Sequence, residues 1–178
     1  MWESEGHRGP GIGGPRGQGP PIDPRKTVVP RVLVMLLLVG LFAEFVIGVA
    51  VSVWGPLPPS SVATLFGPNA GSYGWLSVHA ILAVLLVILG ILLIASIGRL
   101  HRPRLLFGAV AAFVLVLLAA LSGYGFVAGS GNGSYVVLMG VFFLVAWTFY
   151  VMVATRLRRA AWMAMRRERM NSGAPPAA

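Results

Sequence analysis

"VLVMLLLVGLFAEFVIGVAVSVW", residues 32–54, holds one charged side chain, Glu44, in an otherwise apolar run. A helix of this length rises about 34 Å at 1.5 Å per residue, enough to cross a hydrocarbon core of about 30 Å. Three further runs have the same character: residues 75–98, 105–127 and 135–155. Their hydrophobicity on every side, not a helical period, marks them as membrane-spanning. The expected fold is all-α, a four-transmembrane-helix bundle with disordered cytoplasmic tails.

Composition supports this. Of 178 residues, 57% are hydrophobic and 11% charged, whereas a soluble domain carries about 25% charged residues. Mean hydropathy is +0.82. With no cysteine, disulfides, thiol nucleophiles and cysteine-ligated metals are excluded, and the redox compartment stays open. Residues 1–30 ("GPGIGGPRGQGPPIDP" at their centre) are rich in Gly and Pro and cannot bury enough surface to offset their ordering entropy. They read as a disordered tail and not as a signal peptide, because the first apolar run starts late and lacks a small-residue cleavage pattern. Residues 31–155 form the bundle and 156–178 a basic extension.

The net charge of +9 raises nucleic acid as a partner, but the basic residues are placed otherwise. Five precede the first run (Arg8, Arg16, Arg25, Lys26, Arg31), three sit in "RLHRPR" (Arg99, Arg102, Arg104), and six follow the fourth (Arg156, Arg158, Arg159, Arg166, Arg167, Arg169). These are all 14, so the loops 55–74 and 128–134 have none. The positive-inside rule then puts both termini in the cytoplasm of a multi-pass protein of the cell membrane. No nucleic-acid recognition module accompanies the charge, so nucleic acid is not an expected partner. The segment "RLRRAAWMAMRRERM" is expected to prolong helix four as a basic amphipathic helix in contact with anionic lipid.

The loop "GPLPPSSVATLFGPNAGSYG" carries no charge, and "SSVATLF" within it suits a short interfacial helix. Trp54, Tyr73, Trp75, Tyr124 and Tyr135 fall near the outer boundary, where an aromatic belt is expected. "SGYGF", residues 122–126, echoes a potassium selectivity filter. A filter needs a short re-entrant pore helix, whereas this run crosses fully from "RPR", so a flexible helix end is the better reading. "GSGNGS" lacks the lysine and the soluble helix of a phosphate-binding loop and reads as a tight turn.

Two ionisable groups lie inside the spans. Glu44 is ten residues before Trp54, about 15 Å deep. An acid there costs about 2.5–3.5 kcal/mol on insertion scales, and no Lys or Arg in the spans can pair with it. The expectation is a protonated carboxyl bonded to Trp147 or Thr148, which fall at similar depth if helices one and four are neighbours. His79 is placed about 9 Å shallower, so a direct bond to Glu44 requires tilt or a bridging water. His79 can be a histidine held by Ser122 or Tyr124, a proton relay or a haem ligand. His101 lies about 33 Å along the same helix and cannot share one haem with it; Met139 and Tyr124 are the alternative second ligands. Three scattered histidines form no zinc-type metal set. Ser77 points to another side of the helix from His79, so no Ser–His–acid set forms.

Gly40, Glu44, Gly48 and Ser52 recur every four residues along helix one, and Gly108, Ala112, Ala119 and Ser122 make a comparable row on helix three. Small residues allow close helix approach, so these are the expected packing faces, and Glu44 is expected to face inward.

Three motifs carry a resemblance: "EFVIG" in helix one, "VHAILAVLLVILG" opening helix two and "GYGF" closing helix three. Over residues 31–155 the chain resembles an uncharacterised group of four-helix prokaryotic membrane proteins, which implies a four-helix bundle and no particular activity. It is also faintly similar to one four-helix half of haem A synthases, whose intramembrane histidines and nearby Glu imply haem chemistry at His79 and Glu44. The expected function is a non-enzymatic accessory or assembly subunit of a larger membrane complex, in contact with lipid and with other subunits or copies of itself. The alternatives are a redox protein binding haem b or quinone through His79 and Glu44, with Tyr124, Trp147 and Thr148 nearby, or an oligomeric proton-coupled transporter.

Overall fold

The computed structural model describes residues 24–54, 74–129 and 132–171. Residues 1–23 of the Gly/Pro-rich tail, the loop 55–73 with "SSVATLF" and Tyr73, and residues 172–178 lie outside the described residues. After a 3-10 turn at Pro24–Thr27 come four helices: α1 Val28–Trp54, α2 Gly74–Gly98, α3 Pro103–Ala128 and α4 Gly133–Asn171. No strand occurs among the described residues, and all four helices are long and apolar enough to cross a membrane.

One helix end differs from the sequence expectation, for a local reason, while α4 is prolonged as expected. α1 starts at Val28, four residues before the apolar run. Pro30 sits in its first turn, where a missing N–H breaks no intrahelical bond, and Thr27 and Pro30 are fully buried. Residues 24–30 therefore pack as the base of the bundle. α3 runs unbroken through "SGYGF" to Ala128. α4 continues past Thr155 through the basic stretch as one 39-residue helix, since Arg, Ala and Met are all good helix formers. Its start carries a side-chain cap: the Ser134 backbone N–H donates to Asn132 Oδ1 at 3.0 Å, as an Asn at a helix start favours.

Each helix packs on its two neighbours in a ring, α1 on α2, α2 on α3, α3 on α4 and α4 on α1, most extensively between α3 and α4. The backbones of the diagonal pairs do not come together among the described residues, although the Tyr150 hydroxyl reaches across to Gly90. All four contacts are antiparallel. Gly40 faces Leu86 and Gly48 faces His79; Gly90 faces Phe113; Gly108 faces Val153 and Gly125 faces Tyr135. At the base, the Arg31 Nη2 group donates to the carbonyls of Leu157 at 3.3 Å and Arg158 at 3.4 Å, tying α1 to α4. The start of α1, the α2–α3 turn and the basic part of α4 thus share one end.

The buried residues follow a seam of alternating three- and four-residue steps. α1 contributes Val34, Leu37, Leu41, Glu44 and Gly48. α4 contributes Phe143, Ala146, Tyr150, Val153 and Leu157. Such spacing belongs to helices packed at a shallow angle, knobs into holes. The outward faces are equally apolar, with Val39, Phe42, Ile81, Phe107 and Val137 more than half exposed. Side chains of this kind suit lipid as the surrounding medium. The exposed hydroxyls of Ser52, Thr148 and Thr155 all donate to carbonyls of their own helix.

Candidate functional site

Glu44 occupies a seam position of α1, between Leu41 and Gly48, and is 9% exposed. Across the α1–α2 contact, His79 Nδ1 lies 3.0 Å from Glu44 Oε1. The separation is that of an ion pair, although Oε1 lies off the line of a well-directed hydrogen bond from the ring nitrogen. Oε2 is buried and has no hydrogen-bond partner.

The pairing departs from the sequence expectation, which separated the two by about 9 Å. That estimate aligned Trp54 with Trp75. In the structure Gly48 is level with His79 and Gly40 with Leu86, so α2 sits about two residues, or 3 Å, deeper against α1 than assumed. The remaining offset is one helical turn, about 5 Å, which two extended side chains span. Gly48 completes the fit, since a Cβ there would lie 3.1 Å from His79 Cε1.

Trp147 and Thr148, the other expected partners, do not join this pair. Trp147 is 39% exposed, and Thr148 Oγ1 donates to Leu144 O at 2.9 Å on its own helix. The buried residue that α4 places at this level is Phe143, stacked on Phe45 next to Glu44. Ser122 is likewise occupied, donating to Leu118 O.

The pair lies on the wall of a cavity of about 320 Å³, bounded by all four helices in the half of the bundle away from Arg31. The lining is carbon apart from Glu44, His79, Ser52 and Tyr124 and the thioether of Met139. Phe45 and Phe143 stack along one side with ring centroids 5.2 Å apart. Met139 reaches between α1 and α3, within contact distance of the Gly48 and Gly123 positions. Tyr124 lines the cavity while remaining 61% exposed.

The predicted packing residues divide. Gly48, Gly108 and Ala112 are buried in helix contacts, Gly40 is half-buried against Leu86, Ala119 lines the cavity, and Ser52 is exposed. A strict four-residue row drifts around a helix of 3.6 residues per turn, so its upper end leaves the interface that the three-four seam follows.

The chemistry available is that of one carboxyl and one imidazole sharing protons in a carbon-lined space. The contact with His79 gives Glu44 a polar partner at a depth where an acid is otherwise costly. Among the described residues no three His, Asp or Glu side chains cluster to hold a metal ion.

No protein-family model, no curated protein and no solved structure matches this chain. The reading of the site therefore rests on its own geometry.

Proposed function

We propose that the chain is a four-span membrane protein that takes a lipid-soluble molecule into the cavity and holds it at Glu44 and His79. The carrying observation is the 3.0 Å contact between Glu44 and His79 on the wall of an apolar cavity. Ionisable groups inside membrane spans are costly and mark functional sites, and ligand sites combine an apolar lining with a few convergent polar groups. The distribution of Lys and Arg supports a cytoplasmic location for the Arg31 end, with both termini there. Arg156, Arg158, Arg159 and Arg166 on the long α4 suit contact with anionic headgroups, Arg166 stacking over Trp162 at 5.5 Å.

An accessory subunit would use the same bundle but also needs a surface for its partner. The described exterior of the spans is apolar with hydroxyls bonded to their own helices, as lipid alone requires. The site, not the surface, is thus the distinctive feature.

The test is the small-molecule content of the protein purified in mild detergent, set against the Ala119→Phe variant, which fills the cavity while leaving Glu44 and His79 unsubstituted. A lipophilic species present with the natural chain and depleted in the variant supports the reading. Equal content in both overturns it.

A haem is a second reading with an observation of its own. A ligating imidazole usually has its other nitrogen oriented by a carboxylate, and Glu44 stands in that relation to Nδ1 of His79. A Soret band lost in His79→Leu would favour it; its absence from the purified protein would remove it.

A further inference from the structure

The cavity also constrains what it receives, and this step rests on the ligand-binding reading above. No Lys or Arg lines the cavity, whose polar groups are few. A charged guest would lose its hydration in a carbon-lined space, so a neutral guest enters at the lower cost. The recognising groups are few. The Ser52 hydroxyl is spent on Val49 O, while Glu44 Oε2 has no partner at all. The terminal torsion of a Glu side chain is broad and two-fold, so this unused acceptor can be turned toward a guest by a small rotation. What it lacks is a donor. A guest hydroxyl satisfies it, and an ether or ketone does not.

Size and lining narrow the class. A cavity of about 150 Å³ lined by aliphatic side chains holds benzene; the present one is 320 Å³, room for a substituted ring. The Phe45–Phe143 stack and the Met139 thioether both favour an aromatic face.

We propose that the cavity binds a neutral, ring-bearing hydroxyl compound, a phenol or hydroquinone, whose hydroxyl donates to the Glu44 carboxyl while its ring lies among Phe45, Phe143 and Met139. Such a group comes either from the head of a tailed membrane hydroquinone or from a free phenol, and the recognition is the same.

The experiment compares 2,6-dimethylphenol with 2,6-dimethylanisole, which keeps the ring but replaces the hydroxyl hydrogen by a methyl and so has no donor, and with m-xylene, which lacks the oxygen and adds no bulk, by equilibrium binding to the full chain in detergent. The natural protein is expected to favour the phenol about tenfold or more, the effect of one hydrogen bond to a carboxyl in a dry site. In Glu44→Leu that preference is lost, and in Ala119→Phe no probe binds. Adding a decyl-tailed hydroquinone separates the two sources: tighter binding than the tail-less ring assigns a membrane hydroquinone, equal binding a free phenol. If phenol, anisole and m-xylene bind equally and all are lost in Ala119→Phe, hydroxyl recognition is wrong while the cavity remains a ligand site. If none binds the natural protein the proposal also fails, and the co-purified species then judges the broader reading separately.

Discussion

Gly48 and His79 meet face to face across α1 and α2, with room for a hydrogen on Gly48 but little more: a Cβ would stand 3.1 Å from the imidazole Cε1. The glycine fixes where the ring lies and, through it, the approach of Nδ1 to Glu44.

Gly48→Ala should be tolerated with a shift of a few tenths of an ångström in the ring. Gly48→Val should push His79 off Glu44 and cost about 1–3 kcal/mol, the usual range for overpacking a filled interior. Thermal unfolding in detergent checks both. A Gly48→Val protein as stable as the natural one would mean that the ring has another place to go.

A second contact works the same way at the end of α3 away from Arg31. A Cβ on Gly125 would lie 2.7 Å from Tyr135 Cε1 and one on Gly129 3.3 Å from Cε2, so the tyrosine ring rests on the backbone of "SGYGF". Gly125→Ala should lower stability by about 1–3 kcal/mol, and Tyr135→Leu in the same chain should restore most of it, as contacting pairs couple. Gly140, where a Cβ meets nothing within 4 Å, is the control: Gly140→Ala should be neutral or gain up to about 1 kcal/mol from helix propensity.

Tyr150 is fully buried, and its hydroxyl has no hydrogen-bond partner. A buried orphan polar group costs about 1–3 kcal/mol, so Tyr150→Phe should raise the midpoint of unfolding instead of lowering it. A fall would show that the hydroxyl has a partner in the membrane-embedded protein.

Because the chain has no cysteine, single cysteines report topology without a background. Ser134→Cys should react with a membrane-impermeant thiol reagent added outside intact cells, and His101→Cys only after the membrane is opened. The reverse pattern would invert the proposed orientation.

The four helices were legible because uninterrupted apolar runs of this length have few other uses. The inward face of each was not. All sides are apolar, so hydropathy carries no direction, and the clue was side-chain size in three-four steps through Leu37, Leu41, Glu44 and Gly48. Glu44 itself was legible as an inward residue, being the one acid in the spans. Its partner was not, because the level of α2 against α1 depends on which side chains interlock, here Gly40 with Leu86 and Gly48 with His79. Loop boundaries say nothing of that. The charged edge of α1 misled in the other direction: Arg31 marks where the apolar run begins, but the helix starts at Val28, whereas α4 continues past Thr155 as its sequence led one to expect.

In a water-soluble protein polarity separates inside from outside, and volume only refines the fit. Here the two roles are exchanged. Val39, Phe42 and Ile81 face outward with nothing to choose between one large aliphatic or aromatic group and another. Gly90 and Gly125 each leave no space for one more carbon, and Gly48 leaves little. Tolerance to substitution along this chain should therefore follow bulk, with the smallest residues the least replaceable and the greasiest the most interchangeable.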